Sequence, residues 1–207
     1  MDTASLCAAV RCLPRWFHCR DRRPVELRIL STDEGPKLAA MYLAYQPRNS
    51  FQGLPPLKDE ACARWVHEMI ASGINMAACT AEERLIGHLG LFPINAKKCE
   101  LLVVVAPGDQ NLGIGTHLVR GAIDVAAELG FERIWLPVEA ANMRARHVYQ
   151  KCEFQYVGQM QTRELDMVCE LATAASQPTM SATEPGHKLP PPYFALAKRA
   201  SSGLPTE

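Results

Sequence analysis

Residues 99–107, CELLVVVAP, are an almost unbroken apolar run that leads straight into QNLGIGTHL at 110–118 and then into a helical repeat. A strand wetted on one face would alternate polar with apolar residues. This one does not, so it is expected to be covered on both faces and to lie centrally in a sheet. Ile114, Leu118, Ala122, Val125 and Leu129 mark one face of the following helix, which Gly130 is suited to end. ERIWLPVE at 132–139 then reads as another strand. Strand, long helix and strand in that order make a crossover unit, so the VVV and IWLPV segments should be parallel neighbours.

The flanking pattern extends this unit into an α+β domain. VELRIL (25–30) reads as a strand, and S31-x-x-E34 resembles a capping box ahead of Leu38, Met41, Tyr42 and Tyr45, which share one helical face. PRNSFQGLPPLKDE is rich in turn formers, and beyond it Cys62, Trp65, Val66, Met69 and Ile70 trace a second amphipathic helix. INMAACT (74–80), RLIGHLGLF (84–92) and CELLVVVAP, separated by the polar turns AEE and PINAKK, read as an antiparallel meander. Asn142 caps a shorter helix to about residue 151, and FQYVGQM and LDMVCEL close the sheet. The expected domain is therefore 25–172, with helices on both faces of a central mixed sheet. Residues 1–24, carrying Arg11, Arg15, Arg20, Arg22 and Arg23, read as a flexible leader whose removal through residue 22 should leave binding intact. Residues 173–207, dominated by Pro, Ser, Thr and Gly, read as a mostly disordered tail in which PPYFALAKR has the composition to dock on the body.

Charge narrows the class of partner. With 22 basic and 22 acidic residues the net charge is zero, which gives no global field for nucleic acid or an anionic membrane. No stretch reaches the roughly 18 to 20 apolar residues needed to span a bilayer, and MDTASLCAAVRC lacks the basic-then-apolar order of an export signal, so a cytoplasmic location is expected. The C-x4-C-x5-H-C spacing of Cys7, Cys12, His18 and Cys19 matches no paired structural zinc pattern. The other cysteines (62, 79, 99, 152 and 169) sit in apolar segments and read as small core residues, so no metal is expected.

A glycine-rich turn between a buried strand and a helix leaves backbone N–H groups unpaired, and the helix dipole adds partial positive charge there. Such a place suits a phosphate. Gly113 and Gly115 would let the backbone approach the anion, with Gln110, Asn111 and Thr116 as neutral donors. The alternative is that the two glycines only permit close helix-to-strand packing. A dinucleotide fingerprint would need glycine where Leu118 stands, and a P-loop would need Gly-Lys-Ser/Thr, which is absent.

Together, VVVAPGDQNLGIGTHL and LPVEAANMRARHVYQKCEF resemble the two signature blocks of the GNAT superfamily of N-acetyltransferases. The first has a strand followed by Q-x-x-G-x-G. The second has V-x-x-x-N, then Ala, Tyr and a terminal Phe. The resemblance covers residues 85–158 most closely and extends over 25–172. It implies the GNAT-like sheet with a splayed parallel pair and acetyl-CoA as co-substrate, the pyrophosphate on residues 110–116 (Gln110, Asn111, Leu112, Gly113, Ile114, Gly115 and Thr116). The pantetheine arm would lie beside Val103, Val104 and Val105. One departure is Glu153 before Phe154, where the family usually has glycine. Holding a left-handed turn there with glutamate would cost about 1 kcal/mol.

The implied function is transfer of acetyl from acetyl-CoA to a primary amine, of a small molecule or a protein, by direct attack. The alternatives are a catalytically inactive CoA-binding regulatory module and transfer of a longer acyl group. An ammonium with a pKa near 10.4 must lose a proton to attack, a cost of about 4 to 5 kcal/mol at pH 7. Glu100 opens the central strand near the family's usual base region, with His88 and Glu139 as alternatives. Asn142, Ala145 and Tyr149 lie at i, i+3 and i+7 and share a helical face along which one ligand could pass. The Tyr149 phenol would protonate the departing CoA thiolate, unless it is a buried core residue. The chain is expected to work as a monomer or homodimer, with neither nucleic acid nor membrane as partner.

Overall fold

The computed structural model describes residues 3–48, 54–158 and 163–171. The expected tail at 173–207 lies outside them. Within the described residues the chain forms one eight-stranded sheet flanked by helices. β1 (Arg15–His18) and β2 (Pro24–Ile29) are followed by α2 (Gly35–Leu43) and α3 (Asp59–Ser72), with α1 (Thr3–Ala9) ahead of them all. β3 (Ile74–Thr80), β4 (Leu85–Pro93) and β5 (Lys98–Val105) make the meander. α4 (Ile114–Glu128), β6 (Arg133–Glu139), α5 (Met143–Lys151), β7 (Gln155–Val157) and β8 (Glu164–Glu170) complete the order.

The strands lie in the order β1-β2-β3-β4-β5-β6-β8-β7, and β5 with β6 is the parallel pair. That pair is short. It joins Lys98, Cys99 and Glu100 to Arg133, Ile134 and Trp135, and past Glu100 and Trp135 the ladder stops while both strands run on. Pro137, which has no N–H to donate to a ladder, lies in the stretch of β6 beyond the split. The crossover unit and its splay therefore agree with the expectation from sequence.

Two apolar layers hold the sheet. Ile114, Leu118, Ala122 and Val125 of α4 pack with Leu27, Met76, Leu89 and Leu101 on one face. Leu38, Tyr42, Trp65 and Met69 of α2 and α3 cover Ala77, Cys79, Leu102 and Val104 on the other. The α4 helix lies close to the sheet at Gly121, where a Cβ would stand 2.5 Å from Leu27 Cδ2. Between the sheet and α2, fully buried His88 accepts at Nδ1 from Tyr42 Oη (2.8 Å) and donates from Nε2 to Asn75 Oδ1 (3.0 Å). This tautomer follows because the Asn75 amide nitrogen is already donating to Met69 O and Gly73 O.

The expectation of a flexible leader at 1–24 is corrected. β1 pairs with β2 from Arg15↔Leu27 to His18↔Pro24, and Leu6, Val10, Leu13, Phe17 and Cys19 are buried in the α4-side core. The arginines that suggested a solvated segment include two with distant partners. Arg15 binds Asp124 at 2.7 Å, and Arg23 binds Asp109 at 3.0 Å.

Candidate active site

The split between β5 and β6 opens a cleft of about 390 Å³. Leu101–Val105 form one wall, Pro137–Glu139 the opposite wall, and Asn142, Ala145, Val148 and Tyr149 of α5 a third. The loop at Gln110, Asn111 and Gly113–Thr116 closes one end. A strand that leaves its partner exposes backbone donors and acceptors, and the β5 edge past Glu100 is such an edge, though Gln110 Nε2 takes Val105 O at 3.1 Å.

The loop geometry speaks against the packing reading of its glycines. Gly113 has φ +91°, in the left-handed region, and a Cβ there would meet no atom within 4 Å. At Gly115 the nearest atom would be Val105 Cγ2 at 3.7 Å, an ordinary contact. Neither glycine is needed for helix-to-strand packing, so the space before them belongs to the cleft. Thr116 and His117 N–H close back onto Gly113 O at 3.0 and 3.2 Å. Among the described residues no backbone carbonyl takes the N–H groups of Gly113, Ile114 and Gly115, which stand at the positive end of α4.

Gln110 is turned differently from expectation. Its amide donates to Val105 O and to Tyr45 Oη (3.3 Å) and accepts from Arg144 Nη1 (3.0 Å), so it fastens the loop to β5, to the residue beyond α2 and to α5. Asn142 accepts at Oδ1 from Ala145 N at 3.2 Å and caps α5, as its position suggested. Tyr149 lines the cleft yet is 7% exposed, and burial pushes its phenol well above the ordinary value. Burial therefore keeps the phenol in its neutral, protonated form. The turn after α5 keeps the left-handed conformation with Glu153 at φ +67°.

Two expected site residues are not on the cleft wall. Leu112 is half-buried against the core and presents its carbonyl to Arg20 N–H. Glu100 is 2% exposed at the base of the split, opposite Phe92 and Trp135 and below the stretch that lines the cleft. Of the alternative bases, His88 is locked under α2, where burial lowers its pKa to about 3, and it does not reach the cleft either. Glu139 does line it.

Four basic residues on the cleft went unassigned from sequence: Arg20, Arg144, His147 and Lys151. The last three recur at helical spacing on α5, a signal that was present. Arg20 had none, because its place depends on contacts with Asn111 and Leu112, far along the chain. Opposite in sign is the β6–β8 ladder, where Glu139 faces Glu164, and Asp166 faces the cleft-lining Pro137. Paired residues share a sheet face, and burial together with Glu164 raises the Asp166 carboxyl. Asp109, near the loop, is neutralised by Arg84 and Arg23. Burial would raise its pKa, and their hydrogen bonds outweigh that and lower it. All eight cysteines are free, and among the described residues no group of three or more His, Cys, Asp or Glu is arranged to hold a metal.

Residues 38–154 match the model of the acetyltransferase (GNAT) family, more than half of the chain. A spermidine N(1)-acetyltransferase of Vibrio cholerae is 27% identical over 143 residues, 65% of this chain and 76% of that protein. A streptothricin acetyltransferase of Streptomyces lavendulae is 41% identical over 56 residues; the match spans 27% of this chain and only 30% of that protein's length. Among solved structures, the GNAT domain of S. lividans PAT superposes with TM-score 0.65 at 18% identity, covering 76% of this chain and 97% of that one. A dodecameric spermidine N-acetyltransferase from Vibrio cholerae gives TM-score 0.55 at 21% identity, over 70% of this chain and 93% of that one. At these identities the structures speak for the fold.

Proposed function

This chain belongs to the GNAT acetyltransferase family, and from that premise we propose that it transfers acetyl from acetyl-CoA directly to a primary amine in the cleft between β5 and β6. The observation that carries the reading is the split itself. An extended arm bearing amides needs an open strand edge, and β5 past Glu100 offers one that ends at the N–H groups of Gly113–Gly115. A pyrophosphate fits that end: Gly113 and Gly115 leave the space clear, and the α4 dipole favours an anion.

Bound acetyl-CoA supplies an electrophilic thioester carbonyl and a thiolate leaving group. Tyr149, on the α5 wall of the cleft, donates its phenolic proton to the sulfur as charge develops there. Glu139, the cleft carboxylate without an arginine partner among the described residues, replaces Glu100 as the group that takes the amine's proton, directly or through water. The acceptor is cationic before it reacts, and the carboxylates of Glu139, Glu164 and Asp166 on the paired β6 and β8 strands beside the cleft suit it. Spermidine, after which the Vibrio cholerae relative is named, is a cation of this kind.

The test is acetyl-CoA consumption across spermidine, other polyamines, amino acids and peptides with free N-termini, with mass spectrometry of the products. One or more amines should gain a single acetyl group. CoA binding without acetylation of any amine in the panel would reject transfer and leave only a binding module.

A further inference from the structure

The turn between β1 and β2 lies outside the segment matched to the family, yet it is fastened to the phosphate loop from several directions. Arg20 N–H donates to Leu112 O at 3.1 Å, and Arg20 Nη1 donates to Asn111 O at 3.2 Å. Three residues on, Arg23 Nη1 binds Asp109 Oδ1 at 3.0 Å, while the other carboxylate oxygen takes Arg84 Nη1 at 2.9 Å. On the near side, the Phe17 ring stacks on His117 in the first turn of α4, with centroids 4.0 Å apart. Arg20 is thus located by its backbone and by its neighbours, and it lines the cleft.

The loop it joins carries no cation. Residues 110–116 read QNLGIGT, so the loop meets an anion with backbone N–H groups and neutral side chains. That suffices for a pyrophosphate at a helix N-terminus. Coenzyme A carries a further phosphate on its ribose, a monoester whose second ionisation lies near pH 6, so it is close to a dianion at neutral pH. With the arm along Val103–Val105 and the pyrophosphate at Gly113–Gly115, the ribose comes next, outward past the rim at residues 110–112. Arg20 stands on that rim. A guanidinium offers a planar fork of donors matched to phosphate oxygens. The other strong cations on the cleft differ in their circumstances: Arg144 is engaged by Gln110, and Lys151 is an exposed point charge in the last turn of α5.

We propose that Arg20 binds the 3′-phosphate of coenzyme A, so that the hairpin at the N-terminal edge of the sheet reads the nucleotide end of the co-substrate. The proposal rests on the cofactor reading above, and the test separates the two. Calorimetric titrations compare CoA with 3′-dephospho-CoA on the full chain, on Arg20→Gln and on Lys151→Gln, at one low salt concentration. Glutamine keeps an amide donor for Asn111 O and the backbone bond to Leu112 while removing the charge.

The full chain should prefer CoA by about 10-fold or more, the range of one charge-assisted contact. Arg20→Gln should bring that preference within about 2-fold, with dephospho-CoA affinity unchanged, and Lys151→Gln should retain it. Equal losses for both ligands in Arg20→Gln would make Arg20 a brace for the loop and overturn the proposal. So would a preference that survives in Arg20→Gln or vanishes in Lys151→Gln. If the full chain binds both ligands equally, this inference fails and the cofactor reading stands; if it binds neither, both fail.

Discussion

At the scale of single residues, the proposed division of the proton transfers between Tyr149 and Glu139 has a kinetic signature. Tyr149→Phe keeps the ring that packs near Phe154 and removes the proton, so it should lower kcat by about 10²- to 10⁴-fold with CoA affinity nearly intact. Glu139→Gln should lower kcat/KM by about 10²-fold or more near neutral pH and recover as pH rises toward the amine's own pKa. Steady-state rates across pH check both, and parent-like turnover by the phenylalanine variant would reduce Tyr149 to a packing residue. The place of Tyr149 on the cleft was legible in the second signature block. That Glu139 lines the cleft while Glu100 and His88 do not was not legible, because it depends on where the parallel ladder stops. A separate residue effect concerns stability. Glu153 holds φ +67°, so Glu153→Gly should stabilise the fold by about 0.5–1 kcal/mol, read from the urea midpoint at unchanged slope.

At the scale of elements, the joint between the sheet and α2 turns on His88. Burial lowers its pKa to about 3, against 6.5 for the unperturbed group, so the unfolded chain binds a proton there that the folded chain refuses. Stability from this residue is fully present above about pH 6.5 and is lost as pH falls toward 3, with a limiting slope of about 1.36 kcal/mol per pH unit. Urea unfolding between pH 7 and pH 4 should show that fall, and His88→Gln should flatten it; a profile identical in both chains would place the acid sensitivity elsewhere. Most elements could be read beforehand, because the apolar run INMAACT between polar turns and the 3.6 period of α4 are local patterns. The tautomer of His88 could not, since it depends on Tyr42 from α2 and Asn75 from β3 meeting at one point.

At the scale of the whole molecule, the N-terminal residues belong to the fold. Leu6, Val10, Leu13 and Phe17 are buried, and at roughly 1.5–3 kcal/mol each, an upper estimate, they rival the 5–15 kcal/mol that typically separates folded from unfolded chains. Deleting residues 1–22 should therefore abolish the cooperative thermal transition or lower its midpoint sharply, reversing the expectation from sequence. An unchanged transition would mean that β1 is dispensable. These residues were misread because their arginines dominate the composition, while Asp124 and Asp109, which hold Arg15 and Arg23, lie many residues away. The claim on which all the rest depends is that the cleft's end receives the pyrophosphate of acetyl-CoA. Calorimetric titration of CoA into Gly115→Glu, with thermal melting to confirm its fold, tests it most directly. The added carboxylate would occupy the cleft before Val105 at the head of α4, where the backbone is set for an anion. A folded variant of a chain that otherwise binds CoA should show no measurable binding, and an affinity equal to that of the unsubstituted chain would contradict a pyrophosphate site at the head of α4.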